Sequence, residues 1–162
     1  MKHDVFLATP LSGKYPDIKR IEEFAIKVAE ALGEMKIFGT YYEDPAAPTL
    51  PLIAYRWHQQ MADKARVIVN FQAMNPSYVG NAQPDIIARC DQPTIIVVDE
   101  IRPGVIAKLD QIKSPKVLVC LFGPRHLEFM NPPEMAIFCN NDTEEKTIAR
   151  IAGLVRERLN GA

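Results

Sequence analysis

Short apolar runs alternate with amphipathic helical patterns along the chain, and this alternation constrains the fold more than any other feature of the sequence. Strands are predicted at residues 4–8, 36–41, 65–71, 94–98 and 116–122, and residues 135–139 are a candidate for a sixth short strand. Continuous apolar runs separated by helices are typical of parallel strands that are buried on both faces. The sequence therefore predicts a three-layer, doubly wound α/β domain with a mainly parallel, five-stranded sheet.

Five helices are predicted between and after these strands, and one of them is a short helix that begins near Pro84. The first covers residues 15–32, with one apolar face, and Gly33 follows it as expected just past a helix C-terminus. Two more are predicted at residues 52–64 and 103–112. The last helix begins near the sequence "DTEE" at residues 142–145, which resembles a capping box.

Length and composition indicate one globular domain and exclude several classes of protein. The 162 residues fit a single domain, with 48% apolar and 24% charged residues and a net charge of −1. This charge gives no reason to expect a nucleic acid polymer or a membrane as partner. Cys90, Cys120 and Cys139 form neither a disulfide framework nor a zinc pattern, which favours a cytoplasmic location. The apolar run near the N-terminus is too short for a signal peptide.

The loops at the carboxyl ends of the strands are the places to look for a ligand, because doubly wound sheets bind ligands there. The first loop reads "ATPLSGKYPD". Its hydroxyls and glycine, close to a helix N-terminus, suit a phosphate or ribose cradle, and the alternative is an ordinary strand-to-helix turn. The predicted ligand-binding residues here are Thr9, Pro10, Ser12 and Gly13.

The second loop reads "TYYEDPAAP". Tyr41 and Tyr42 are candidates to stack on a base, and Glu43 and Asp44 are candidates to bind hydroxyls. The alternative is a solvated acidic loop with one tyrosine packed inward.

The third loop, "FQAMNPSYVGNAQPD", is the most site-like stretch of the chain. Pro84 suits the first position of a helix, which places Gln83 near the N-cap and Asp85 in the first turn. Asp85 is either functional or purely structural, since a helix dipole stabilises a carboxylate there. The loop before it has the small, polar character of an anion site, with candidates Asn75, Ser77, Gly80 and Asn81.

These segments together resemble the nucleoside 2-deoxyribosyltransferase superfamily, including its deoxynucleoside 5′-monophosphate N-hydrolase branch. The resemblance rests on the order and spacing of "VFLATPLSG", "MADKARVIVNF", "NPSYVGNAQPDIIAR" and "DQPTIIVV". It covers roughly the first two-thirds of the chain. It implies a flavodoxin-like, nucleoside deoxyribosyltransferase-like fold, a homo-oligomer, and a nucleoside or nucleotide ligand with no metal or organic cofactor.

The resemblance also implies a catalytic carboxylate, which this chain replaces or displaces. In the family a glutamate opens the helix after the third loop. It acts as the nucleophile or stabilises the positive charge that develops at the anomeric carbon. The ungapped alignment puts Gln83 at that position, and a shift of two residues puts Asp85 there. The family's Ala-Asp pair corresponds to Ala65 and Arg66.

Two functional hypotheses follow, and both remain open at this stage. In the first, the protein cleaves or transfers an N-glycosidic bond, and Asp85, or Glu43 or Asp44, supplies the carboxylate. In the second, it binds or senses a nucleotide without turnover, because an amide at position 83 cannot stabilise the cation. A third hypothesis is a doubly wound domain that binds an unrelated anionic ligand.

Self-association is expected through Leu127, Phe129 and Met130, which could instead cover the sheet edge of a monomer.

Overall fold

The protein is built on one parallel β-sheet. A computed structural model describes residues 3–9, 16–39, 59–72, 87–99, 103–121 and 128–161. The strands are β1 His3–Ala8, β2 Ile37–Gly39, β3 Ala65–Gln72, β4 Thr94–Val98, β5 Lys116–Cys120 and β6 Met135–Phe138. They lie in the order β2-β1-β3-β4-β5-β6, and every neighbouring pair is parallel. The first five strands follow the flavodoxin-like order, so the predicted doubly wound α/β fold is confirmed.

The helices also lie close to their predicted positions. They are α1 Pro16–Leu32, α2 Pro103–Asp110 and α3 Glu144–Asn160, and residues 59–64 are helical as well. Residues 52–58 of the second predicted helix and the start of the short helix predicted at Pro84 lie outside the described residues. Helix α1 ends as predicted at Gly33, whose φ of 70° is left-handed backbone that favours glycine.

Two apolar cores cover the two faces of the sheet, because successive side chains of a strand point to opposite sides. On the first face α1 and α3 pack on alternate strand residues such as Val5, Val67 and Val97. On the second face α2 and the helical residues 59–64 pack on the residues between them, such as Phe6, Ile68 and Ile96. The connection from β1 to β2 uses the first face, and the oppositely directed connections from β3 to β5 use the second. This arrangement fits a single hand for all crossovers.

The sheet has one strand more than the five predicted. Strand β6 pairs with β5 at the sheet edge, where Met135 and Ala136 are exposed and Ile137 and Phe138 are half-buried. Four residues at an edge carry a weak apolar signal, so the pattern left this strand as a candidate.

The start of α3 is also one residue later than the capping-box pattern indicates. Thr143 is the N-cap, and its Oγ1 accepts a hydrogen bond of 3.2 Å from the main-chain nitrogen of Lys146. Asp142 instead forms an ion pair of 3.0 Å with Arg150, nearly two turns into the helix. The capping-box interpretation of residues 142–145 was therefore wrong in register.

Two further expectations concern the surface. Phe129 packs against the second core, whereas Met130 is 87% exposed, and Leu127 lies outside the described residues. The apolar segment thus both covers part of the core and leaves one large side chain in solvent. Of the helices that the structure describes, none has the length and apolar character needed to cross a membrane.

Candidate functional site

The strand order reverses between β1 and β3, and this switch point defines the candidate site. The chain leaves β1 for β2 on one side, while β3 and the later strands extend the sheet on the other side. Loops that leave such a point in opposite directions open a crevice at the carboxyl ends of the two strands. Thr9 follows the last residue of β1 directly and is fully buried there.

Thr9 is the predicted site residue whose position the structure describes. It lies at the switch point, as expected for a residue of the first loop. Its contribution to ligand binding stays a prediction. The other predicted site residues lie outside the described residues: Pro10, Ser12, Gly13, Tyr41, Asn75, Ser77, Gly80, Asn81, Gln83 and Asp85.

A second polar side chain at this place was missed by the sequence analysis. Asn70 belongs to β3, is fully buried, and pairs in register with Ala8 of β1 and Ile96 of β4. Neither its Nδ2 nor its Oδ1 has a hydrogen-bond partner among the residues that the structure describes. The available signal was one amide inside the apolar run "ARVIVNFQ". The apolar residues of this run predict a strand by themselves, so the asparagine did not stand out as a candidate.

Other buried polar side chains form hydrogen bonds near the opposite, amino end of the sheet. Thr94 Oγ1 donates to the carbonyl of Gln92 at 3.1 Å and lies 3.1 Å from Ser114 Oγ. Lys116 Nζ donates to the carbonyls of Leu109 and Ile112. Buried polar groups are normally paired in this way. Within the described part of this protein, Gln59 Oε1 also lacks a partner, but the Nε2 of that residue is paired, whereas Asn70 is unpaired at both polar atoms.

A carboxylate also stands at the carboxyl edge of the sheet. Asp99 follows β4 directly and is exposed, and β4 is the strand next to β3. Asp99 is not among the predicted site residues, which all come from the loops after the first three strands. Its position is suitable for a contact to a ligand hydroxyl that reaches beyond the switch point.

Ala65 and Arg66 lie far from this edge. Arg66 is near the amino end of β3, where its guanidinium donates to the carbonyl of Leu159 at 2.8 Å and lies 3.5 Å from Asp4. These contacts tie β3 to the end of α3 and to β1. The arginine therefore has a structural role at the end of the sheet opposite the switch point.

A shallow cleft of about 460 Å³ opens at this same amino end. It is lined by the residues that flank the starts of β3 and β4, among them Asp63, Arg66, Arg89, Cys90 and Gln92. Burial, followed by the charge and the hydrogen bond of Asp63, raises the pKa of the Cys90 thiol to about 11. A thiol that stays protonated at neutral pH is a poor nucleophile, so the cleft lacks an activated cysteine.

The described ranges contain no group of three or more histidine, cysteine, aspartate or glutamate side chains that could hold a metal ion. Cys90, Cys120 and Cys139 all lie in the described ranges, are buried, and form no disulfide bond. Burial also raises the pKa of Cys139. These thiols pack within the two cores, as apolar residues do.

No family model and no curated protein sequence matches the chain. The crystal structure of the apo form of an NADH:FMN oxidoreductase (EMOB) is similar, with a TM-score of 0.48 and 11% sequence identity. The match covers 99% of this chain and 90% of that chain.

Proposed function

We propose that this protein binds a nucleoside or nucleotide at the carboxyl ends of β1 and β3, and that it cleaves or transfers the N-glycosidic bond. The observation that carries the proposal is the strand-order reversal at β1 and β3, with the buried Thr9 directly at it. Ligands of doubly wound sheets bind at such a point. The sequence resemblance to nucleoside 2-deoxyribosyltransferases supplies the class of ligand.

The roles of the residues in this proposal follow from their chemistry. Thr9, with Ser12 and Gly13, would hold the base or sugar, and the loop residues Ser77, Gly80 and Asn81 would hold a 5′-phosphate. Asp85 would supply the carboxylate, since a negative charge stabilises the cation that forms as the glycosidic bond breaks. The expected ligand is a small molecule, and the reaction needs no cofactor.

The alternative is a module that binds or senses a nucleotide without turnover. It is favoured by Gln83, which stands where the family's glutamate falls in the ungapped alignment. An amide forms hydrogen bonds with sugar hydroxyls but carries no charge to stabilise a cation. Both functions use the same crevice and differ in the residue that faces the anomeric carbon.

Incubation with ribo- and deoxyribonucleosides and their 5′-monophosphates, followed by chromatography for free base, separates the two functions. The enzyme hypothesis expects base release that is lost in Asp85→Asn and retained in Gln83→Ala. Circular dichroism of each variant shows whether it is folded. Binding without release, at high protein concentration and long times, would support the non-catalytic module. If no nucleoside or monophosphate is bound and none releases its base, the proposal is overturned.

A further inference from the structure

We propose that the side-chain amide of Asn70 holds the base of the bound ligand, by accepting one hydrogen bond at Oδ1 and donating another from Nδ2. This inference rests on the proposed nucleoside or nucleotide ligand and adds a specificity-determining residue to it. Asn70 is on the buried part of β3 and belongs to none of the loops from which the ligand site was predicted.

Asn70 has a side-chain amide that is both buried and unpaired among the described residues, and this is the first ground for the inference. Asn70 is 0% exposed, and both polar atoms of its side chain lack a partner within the described part of the chain. A buried polar group without a hydrogen bond destabilises the folded protein. A ligand that supplies a donor and an acceptor removes this penalty, and the hydrogen bonds that it forms make the free energy of binding more favourable.

The second step is the place of Asn70 relative to the switch point. It pairs with Ala8, the last residue of β1, while β3 continues to Gln72 and β4 to Val98. At about 3.3 Å per residue, Asn70 lies roughly 7 Å below the end of β3 but level with the end of β1. The side chain next to Asn70 on β1 is that of Ala8, a single methyl group. Asn70 therefore lies at the level where β1 leaves the sheet and the crevice begins.

The third step is the chemistry of the amide. A carboxamide offers one acceptor and one donor side by side and carries no charge. A nucleobase edge presents the complementary pair, as in the bidentate contact of asparagine with adenine. A phosphate would use the Nδ2 donor and leave Oδ1 unpaired, because a phosphate oxygen accepts and does not donate. The base therefore pairs with both polar atoms of Asn70, whereas the phosphate pairs with only one of them.

The stability of the unliganded protein tests the first step. In Asn70→Leu, a side chain that branches at the same carbon replaces the unpaired amide, and we expect Tm to rise by roughly 2–6 °C. The matched control is Thr94→Val in the neighbouring strand, which removes a paired hydroxyl and is expected to lower Tm. A fall in Tm for Asn70→Leu that equals the fall for Thr94→Val would show that the amide is already paired, and would overturn the inference.

Calorimetric titration tests the contact with the base. The probes are the four 2′-deoxynucleoside 5′-monophosphates and, as a ligand without a base, 2-deoxyribose 5-phosphate. Loss of two hydrogen bonds is expected to weaken binding of the preferred monophosphate by about tenfold to a hundredfold in Asn70→Leu. The affinity for 2-deoxyribose 5-phosphate is expected to stay unchanged. Asn70→Ala, which adds no atoms to the core, is expected to show the same pattern.

The two proposals fail differently in these experiments. A monophosphate that binds wild-type protein and both variants equally would overturn the role of Asn70 and leave the proposed function standing. An equal loss of affinity for 2-deoxyribose 5-phosphate would assign Asn70 to the sugar and also overturn the inference. Wild-type protein that binds no monophosphate at millimolar concentration would overturn the proposed function, and the inference with it.

Discussion

Lys116 Nζ lies 2.6 Å from the main-chain carbonyl oxygen of Ile112, and 3.1 Å from that of Leu109, at the C-terminal end of α2. The lysine is the first residue of β5 and is 4% exposed. A cation near a helix C-terminus interacts favourably with the helix dipole. Burial lowers the pKa of the Lys116 ammonium, and the carboxylate of Asp110 opposes this shift. The side chain thus joins the sheet to the helix that precedes it.

Replacement of Lys116 by methionine should destabilise the protein by about 1–3 kcal/mol, because two buried carbonyls lose their donor. Methionine keeps most of the aliphatic stem, so the loss reports on the hydrogen bonds. Equilibrium unfolding in urea measures the difference. Lys113→Met is the matched control, since Lys113 is exposed on the same connection and should change stability by less than about 0.5 kcal/mol. Equal effects of the two substitutions would contradict the role of Lys116.

The stability that depends on Lys116 should increase with pH in the alkaline range. Because the pKa is lowered in the folded state, the unfolded chain binds more protons between that lowered pKa and the ordinary value of 10.5. The free energy of unfolding rises with pH wherever the unfolded state binds more protons. The stability difference between wild type and Lys116→Met should therefore be larger at pH 10 than at pH 8. A difference that shrinks over this range would contradict the direction of the shift.

Helix α3 should depend on Thr143 and little on Asp142. Thr143→Ala removes the acceptor for the Lys146 main-chain nitrogen and should cost about 1 kcal/mol. Asp142→Ala removes a partly exposed ion pair with Arg150, which should cost less than about 0.5 kcal/mol. Denaturant unfolding of both variants tests the assignment. A larger loss from Asp142→Ala would return the N-cap to the position that the sequence pattern indicated.

The Cys90 thiol should react slowly with alkylating reagents at pH 8 and faster in Asp63→Asn. Asp63 accepts from the thiol at 3.9 Å, and its charge and hydrogen bond both raise the pKa of Cys90. Asp91 makes a smaller contribution of the same sign, so Asp91→Asn should accelerate the reaction less. Mass spectrometry of iodoacetamide-treated protein follows Cys90 separately from the other cysteines. Equal rates in wild type and Asp63→Asn would contradict the electrostatic explanation.

Replacement of Arg66 by aspartate should destabilise this protein. Arg66→Asp loses the hydrogen bond to Leu159 and places a second carboxylate near Asp4. Because these side chains are partly exposed, the expected loss is about 1–2 kcal/mol. Arg66→Ala should lose less, since it adds no like charge. Unfolding of both variants, repeated in Asp4→Ala, isolates the repulsion, which should disappear when Asp4 is removed.

The sequence by itself determined the fold class and most element boundaries. Strands β3, β4 and β5 are apolar on both faces, and a strand of this kind needs a covering layer on each side, which leaves the doubly wound sheet as the natural arrangement. Gly33 marked the end of α1 because a left-handed residue favours glycine. The sequence also placed Thr9 at the end of β1, and hence at the switch point, since strand order in such sheets is restricted.

Only the tertiary structure decided which polar residues are buried and paired. Lys116 and Asn70 both stand in apolar runs, yet one caps a helix and the other lacks a partner in the described structure. The difference depends on which carbonyls and amides lie within about 3 Å in space, and the packing of α2 against β5 brings the carbonyls of Leu109 and Ile112 to Lys116. Apolar periodicity indicates which positions of a helix or strand are buried. Whether a buried polar side chain is hydrogen-bonded depends on the groups that packing brings next to it.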